Sequence, residues 1–165
     1  MRALAVSTYD LSLFVHITAV VIGLGSTFAE SIAFPLAMKL DQRHLPYVHR
    51  LQRTINKYFA LPALLVILVT GLYQAHKGHW DLGKPWLSIT LAIVVALAVL
   101  NIVYFIPQDR RLERMARREL AAAGGAETPL SDDYNRMARN TGIAGSITGV
   151  LLVVAIFMMV VKPGV

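Results

Sequence analysis

The sequence predicts an all-α membrane protein, a bundle of four transmembrane helices with short cytoplasmic helical extensions. Three observations predict it. Of 165 residues, 56% are hydrophobic and only 16% are charged, against roughly 25% charged in soluble domains. Four apolar stretches each approach or exceed the about 20 residues that a helix needs to cross a hydrocarbon core of about 30 Å. The basic residues are concentrated in two of the three connections between them. Lipid offers backbone groups no hydrogen-bond partner, so each stretch must satisfy its own, as a helix does. Four such helices with almost no polar face would leave a soluble fold nothing to present to water.

The first span covers about 11–38, and Glu30 is its only formal charge. Its start shares features with a secretory signal: Arg2, an apolar run, then Thr27-Phe28-Ala29 as a small-residue cleavage site. Asp10 ahead of the run, a single basic residue, and the return of hydrophobicity at Ile32, Phe34 and Leu36 favour an uncleaved span. The second span covers about 58–76, the third 86–106 and the fourth 141–161, all without Asp, Glu, Lys or Arg. The whole chain, 1–165, reads as one domain.

Of the sixteen Lys and Arg residues, twelve fall in the connections after the first and third spans, and four (Arg2, Lys77, Lys84, Lys162) on the other side. Basic residues stay cytoplasmic, so both termini and the turn between the second and third spans are expected to face outward from a bacterial inner membrane. The formal charge of +6 then reads as a topology signal and a set of contacts to anionic lipid headgroups rather than as a nucleic-acid surface.

The connections carry helical signals. Pro46 sits as a first-turn residue, and Val48, Leu51, Gln52, Ile55 and Phe59 follow at helical spacing, so the second span is expected to begin as a cytoplasmic helix. Past Pro107, Leu112, Met115, Ala116 and Leu120 share a face ringed by arginines, the pattern of a short helix lying at the headgroups. Gly124-Gly125 ends it, and Ser131-Asp132-Asp133 predicts an N-terminal cap for the helix leading into the fourth span. Trp80, Trp86 and Tyr73 at one end, and Tyr47, Tyr58 and Tyr104 at the other, fall where interface anchors belong. Small residues mark helix contacts in lipid. Gly23 and Gly25 in the first span, and Gly142, Gly145 and Gly149 in the fourth, serve either internal packing or, through Gly145 and Gly149, a homo-oligomer seam.

With no cysteine there is no disulfide, thiolate metal site or Cys nucleophile. No nucleophile elbow, zinc-protease helix or P-loop is present, so nothing indicates an enzyme. Ionisable groups at membrane depth are functional candidates because burying them costs free energy, and there are two. Glu30 lies in the inner third, level with Asn101, Ser146 and Thr148; it forms either a structural polar knot, with Lys57 or Arg139 as snorkelling partners, or a proton relay. His16 lies in the outer third, about 21 Å from Glu30 along the helix, with His76, His79, Met158 and Met159 near that end. Imidazole with thioether suits haem b or copper; the alternative is a histidine hydrogen-bonded between helices. His44 and His49 are expected to be solvated in the cytoplasmic loop.

Phe14-Val15-His16, Thr70-Gly71, Lys84-Pro85-Trp86 and Val161-Lys162-Pro163 together resemble the bacterial predicted integral membrane proteins grouped as domain of unknown function 2269. The resemblance implies four transmembrane helices and no assigned activity. More distantly, a first-span His in a four-helix protein is similar to copper-resistance D domains and HemJ-type protoporphyrinogen oxidases, in which that His serves metal or haem. Only His16 carries over, and the third span has no Lys or His to partner it. Three functions stand open: a structural or accessory module, a redox or metal module using His16, and a proton-coupled transporter subunit using Glu30.

Overall fold

The computed structural model describes residues 6–39, 41–124 and 129–164. Arg2 and Gly125, invoked above, lie outside them. Helix α1 (Thr8–Ala37) is followed by a 3-10 turn (Gln42–His44), α2 (Leu45–Ile55), α3 (Leu61–Lys77), α4 (Pro85–Leu100), α5 (Ile106–Ala122) and α6 (Asp132–Val161). Between α2 and α3, and again between α4 and α5, the helix does not stop. It widens into one π turn, Asn56–Ala60 in the first case and Asn101–Phe105 in the second. Four helices long and apolar enough to cross a membrane result among the described residues: Thr8–Ala37, Gln42–Lys77, Pro85–Ala122 and Asp132–Val161. At 1.5 Å per residue they run about 45 to 57 Å, well beyond a hydrocarbon core of about 30 Å.

The ends of these helices follow from local chemistry. Ser7 caps α1 in a reciprocal box with Asp10, one turn before the apolar run begins. The predicted cap at Ser131 is present, its hydroxyl accepting from the Tyr134 amide at 3.2 Å. The same residue donates its amide and hydroxyl to Glu119 of α5, both at 2.7 Å, which ties the end of one helix to the start of the next. Pro46, Pro62 and Pro107 all occupy first-turn positions. Pro62 and Pro107 bring no N–H and press on the carbonyl four residues back. Widening to a π turn accommodates both: the amide of Leu61 bonds to Asn56 and that of Ile106 to Asn101, five residues apart.

The bundle has two large cores and a smaller cluster of Ala75, Trp86 and Leu87. Ala19, Leu64, Ile67, Val94, Leu97, Ala98 and Leu152 pack the apolar region. Ala37, Leu45, Leu112, Ala116, Leu130, Tyr134 and Ala138 pack the basic pole, where α2, α5 and the start of α6 extend together. This corrects the expected headgroup helix. Helix α5 runs straight on from α4, and its apolar face, with Leu112 and Ala116 both 0% exposed, is covered by protein instead of lipid. The periodicity of a face says that it is buried, not what buries it.

Candidate functional site: a polar cavity between the two π turns

Each π turn opens on an asparagine, and the two helices run in opposite directions, so the turns meet. Asn101 Nδ2 donates to Asn56 Oδ1 at 3.0 Å. Asn56 Nδ2 in turn donates to Asp109 Oδ2 at 3.1 Å and, at the limit of reach, to Glu30 Oε2 at 3.5 Å. One carboxamide is therefore shared by two carboxylates, one from α1 and one from α5. Asn56, Asn101 and Asp109 are buried. Two acceptors, Glu30 Oε1 and Asn101 Oδ1, are buried without any hydrogen-bond partner.

These residues line a cavity of about 150 Å³. On α1 its wall runs from Gly23 to Pro35, about 18 Å of helix axis. Gln52 and Asp109 lie at the basic end of the wall; Leu64, Ile67, Leu97 and Leu152 lie at the apolar end. Ser146 and Thr148 line it too, so all four predicted members of the Glu30 layer reach one space. Neither hydroxyl is a recorded partner of Glu30; Ser146 bonds back to the Gly142 carbonyl. The expected cations are absent from the site. Lys57 sits over the Tyr58 ring, Arg139 is exposed, and among the described residues neither Glu30 nor Asp109 has an ion-pair partner. Arg53, the basic side chain of α2 that acts electrostatically on Asp109, pairs instead with Glu113 at 3.0 Å, as does Arg117.

Sequence reasoning missed Asn56 and Asp109. Both stand outside the apolar stretches as counted by hydropathy, because Lys57 and Arg110 beside them end the window. A signal was available: Asn56 and Pro62 share the spacing of Asn101 and Pro107, and an asparagine just ahead of a helix-interior proline marks where the ladder shifts.

The His16 layer is different. His16 is buried, and its Nδ1 lies 2.8 Å from Thr70 Oγ1. That hydroxyl donates to the Val66 carbonyl at 2.6 Å, so it accepts from His16 Nδ1–H. Gly71 makes room, since a Cβ there would stand 3.4 Å from His16 Cε1. His76 and His79 are exposed. Met158 and Met159 pack with Trp80 against Ala75, Trp86 and Leu87. No group of three His, Cys, Asp or Glu that could hold a metal ion forms among the described residues, so His16, His76 and His79 are not assembled into one.

Two further expectations change, and the internal-packing reading of the fourth-span glycines finds its contacts. His49, expected in water, is 0% exposed. Gln52 Oε1 can only accept, so His49 Nδ1–H donates to it at 3.2 Å and Nε2 accepts from the Tyr134 hydroxyl at 2.6 Å. Trp86 is buried rather than set in lipid. It stacks edge-on with Trp80 at 5.4 Å between centroids, with Lys162 Nζ over both rings. In the fourth span, Gly142 packs on Phe34 and Gly149 on Thr27 within the bundle, while Gly145 lines the cavity with nothing within 4 Å of a built Cβ.

The four short motifs thus meet in pairs: His16 on Thr70-Gly71, and Trp86 under Lys162. The chain belongs to the predicted integral membrane protein family, domain of unknown function 2269, whose profile matches residues 10–163. It is an integral, multi-pass membrane protein. No curated protein and no solved structure matches it.

Proposed function

We propose that this member of the family works as one four-span domain that exchanges protons, and with them a cation, at the Glu30–Asp109 cavity, as a proton-coupled transport module or subunit. The observation that carries this reading is the open valence of the site. A polar knot that merely fixes packing satisfies its own atoms, because an unpaired buried acceptor costs about 1–3 kcal/mol. Here two carboxylates share one carboxamide, and two acceptors are left over. Two carboxylates on one carboxamide, with no ion-pair partner among the described residues, are costly to ionise together, so a proton or a bound cation completes the site. The Thr70 contact leaves His16 Nε2 as the free ring nitrogen, but no set of metal-ligating side chains gathers beside it among the described residues.

The orientation belongs to the same proposal: the basic pole in the cytoplasm of a bacterial cell, in contact with anionic headgroups, and both termini outside. The twelve-to-four division of basic residues supports it. Purified protein in sealed vesicles carrying an internal pH dye tests the function. An imposed cation gradient should drive proton movement, and Glu30→Gln should abolish it while the protein still inserts and purifies. Equal proton movement in wild type and Glu30→Gln overturns the reading.

A further inference from the structure

The two halves of the cavity wall differ in chemistry, and the difference limits what fits. The basic end presents oxygen: Glu30, Asp109 and the Asn101 carbonyl. The other end presents carbon, from Leu64, Leu97 and Leu152. Carboxylates and carboxamides gather at one end and leucines at the other, so a ligand that uses the whole space carries both a polar and an apolar part. A proton alone satisfies a single oxygen and leaves the space unused. An engineered apolar cavity of about 150 Å³ in another protein admits benzene, so the volume here matches one small ring or a short chain. An alkylammonium carries three N–H donors, and three acceptor groups stand at the polar end: the Glu30 and Asp109 carboxylates and the Asn101 carbonyl.

We infer that the cavity takes a small amphipathic organic cation, a primary aryl- or alkylammonium, with its nitrogen among Glu30, Asp109 and Asn101 and its apolar body against Leu64, Leu97 and Leu152. Binding exchanges one cation for one proton: the ammonium enters with its charge, a proton leaves the carboxylate pair, and the net charge of the site is unchanged. The inference rests on the proposed exchange at Glu30 and adds the class of cation.

Benzylammonium and ammonium chlorides are the probes, titrated into the full-length protein in lightly buffered detergent while released protons and heat are recorded. Benzylammonium should release protons and bind at least tenfold more tightly than ammonium. Leu152→Phe, which adds bulk to the apolar half, should bring the ratio of the two affinities toward one. If that variant does not fold, Leu152→Val removes one methylene from the apolar wall and should lower the ratio about threefold. Proton release with ammonium that is lost in Glu30→Gln, with no preference for benzylammonium, overturns the organic-cation inference and leaves proton exchange standing. No proton release by either probe, together with no proton movement in vesicles, overturns both. A preference for benzylammonium that Leu152→Val and Leu152→Phe leave unchanged places the ligand elsewhere and overturns the assignment to this cavity.

Discussion

The two polar layers of the bundle are built from similar materials to opposite ends. At His16 a buried ring meets a threonine hydroxyl that is itself bonded to a backbone carbonyl, and a glycine clears the space beside it. At Glu30 two carboxylates and two carboxamides converge, yet two acceptors are left without donors beside a void. The first is a direct pair that ties α1 to α3. The second is held open by two π turns and completed only by something from outside. Depth in the membrane does not separate the two layers; the convergence of two carboxylates on one carboxamide beside a cavity does.

The sharpest break of this comparison is Glu30→Gln. Replacing the carboxylate removes the titrating group and one buried charge, so proton movement in vesicles should fall to the level of empty liposomes. The melting temperature in detergent should hold or rise, since removing a poorly compensated buried charge relieves its desolvation cost. A closed structural pair would give the reverse pattern, with activity kept and stability lost.

His49 is the closed counterpart at the basic pole, and it should behave as one. His49→Ala removes a fully buried ring and leaves the Tyr134 hydroxyl and Gln52 carbonyl unpaired, a loss of about 2–4 kcal/mol. Denaturant unfolding followed by helical circular dichroism measures it. Tyr134→Phe deletes only the hydroxyl and should cost about 1–2 kcal/mol.

His16→Ala extends the test into the apolar region. Interhelical hydrogen bonds within membranes contribute about 0.6 kcal/mol on average and up to about 1.7, so a loss of about 1 kcal/mol is expected, with proton movement retained. A change in visible absorption on this substitution would instead tie His16 to a chromophore and restore the redox reading.

The four spans and their cap at Ser131 were legible in the sequence because hydropathy and capping are local. The Glu30 layer was legible in part. Depth alone put Asn101, Ser146 and Thr148 beside the carboxylate, but its bonded partner Asn56 and fellow carboxylate Asp109 were hidden by the charges next to them. Hydropathy treats a window as a unit, and it cannot see that Asn56 and Asp109 turn inward while Lys57 and Arg110 turn out. The fate of α5 was not legible for a related reason. An amphipathic face looks the same whether lipid or α2 and α6 will cover it, and the π turn at Asn101 that keeps α5 collinear with α4 depends on where Pro107 presses on the preceding turn.

The smallest effect is expected at the terminal pole. Lys162 adopts a left-handed backbone conformation, φ 48°, which ends α6 and turns its side chain over Trp80 and Trp86 at 4.6 and 5.4 Å from the ring centroids. A partly exposed cation over indole contributes about 0.5–1 kcal/mol. Lys162→Met keeps the aliphatic stem and removes the charge, so the thermal midpoint should drop slightly and ammonium exchange at the distant cavity should not move. Lys162→Gly should recover part of that loss through the backbone, because glycine accepts the positive φ without strain. If neither variant loses stability, the cation over the indoles contributes little, and the aromatic pair is held by its apolar neighbours Ala75, Leu87, Met158 and Met159.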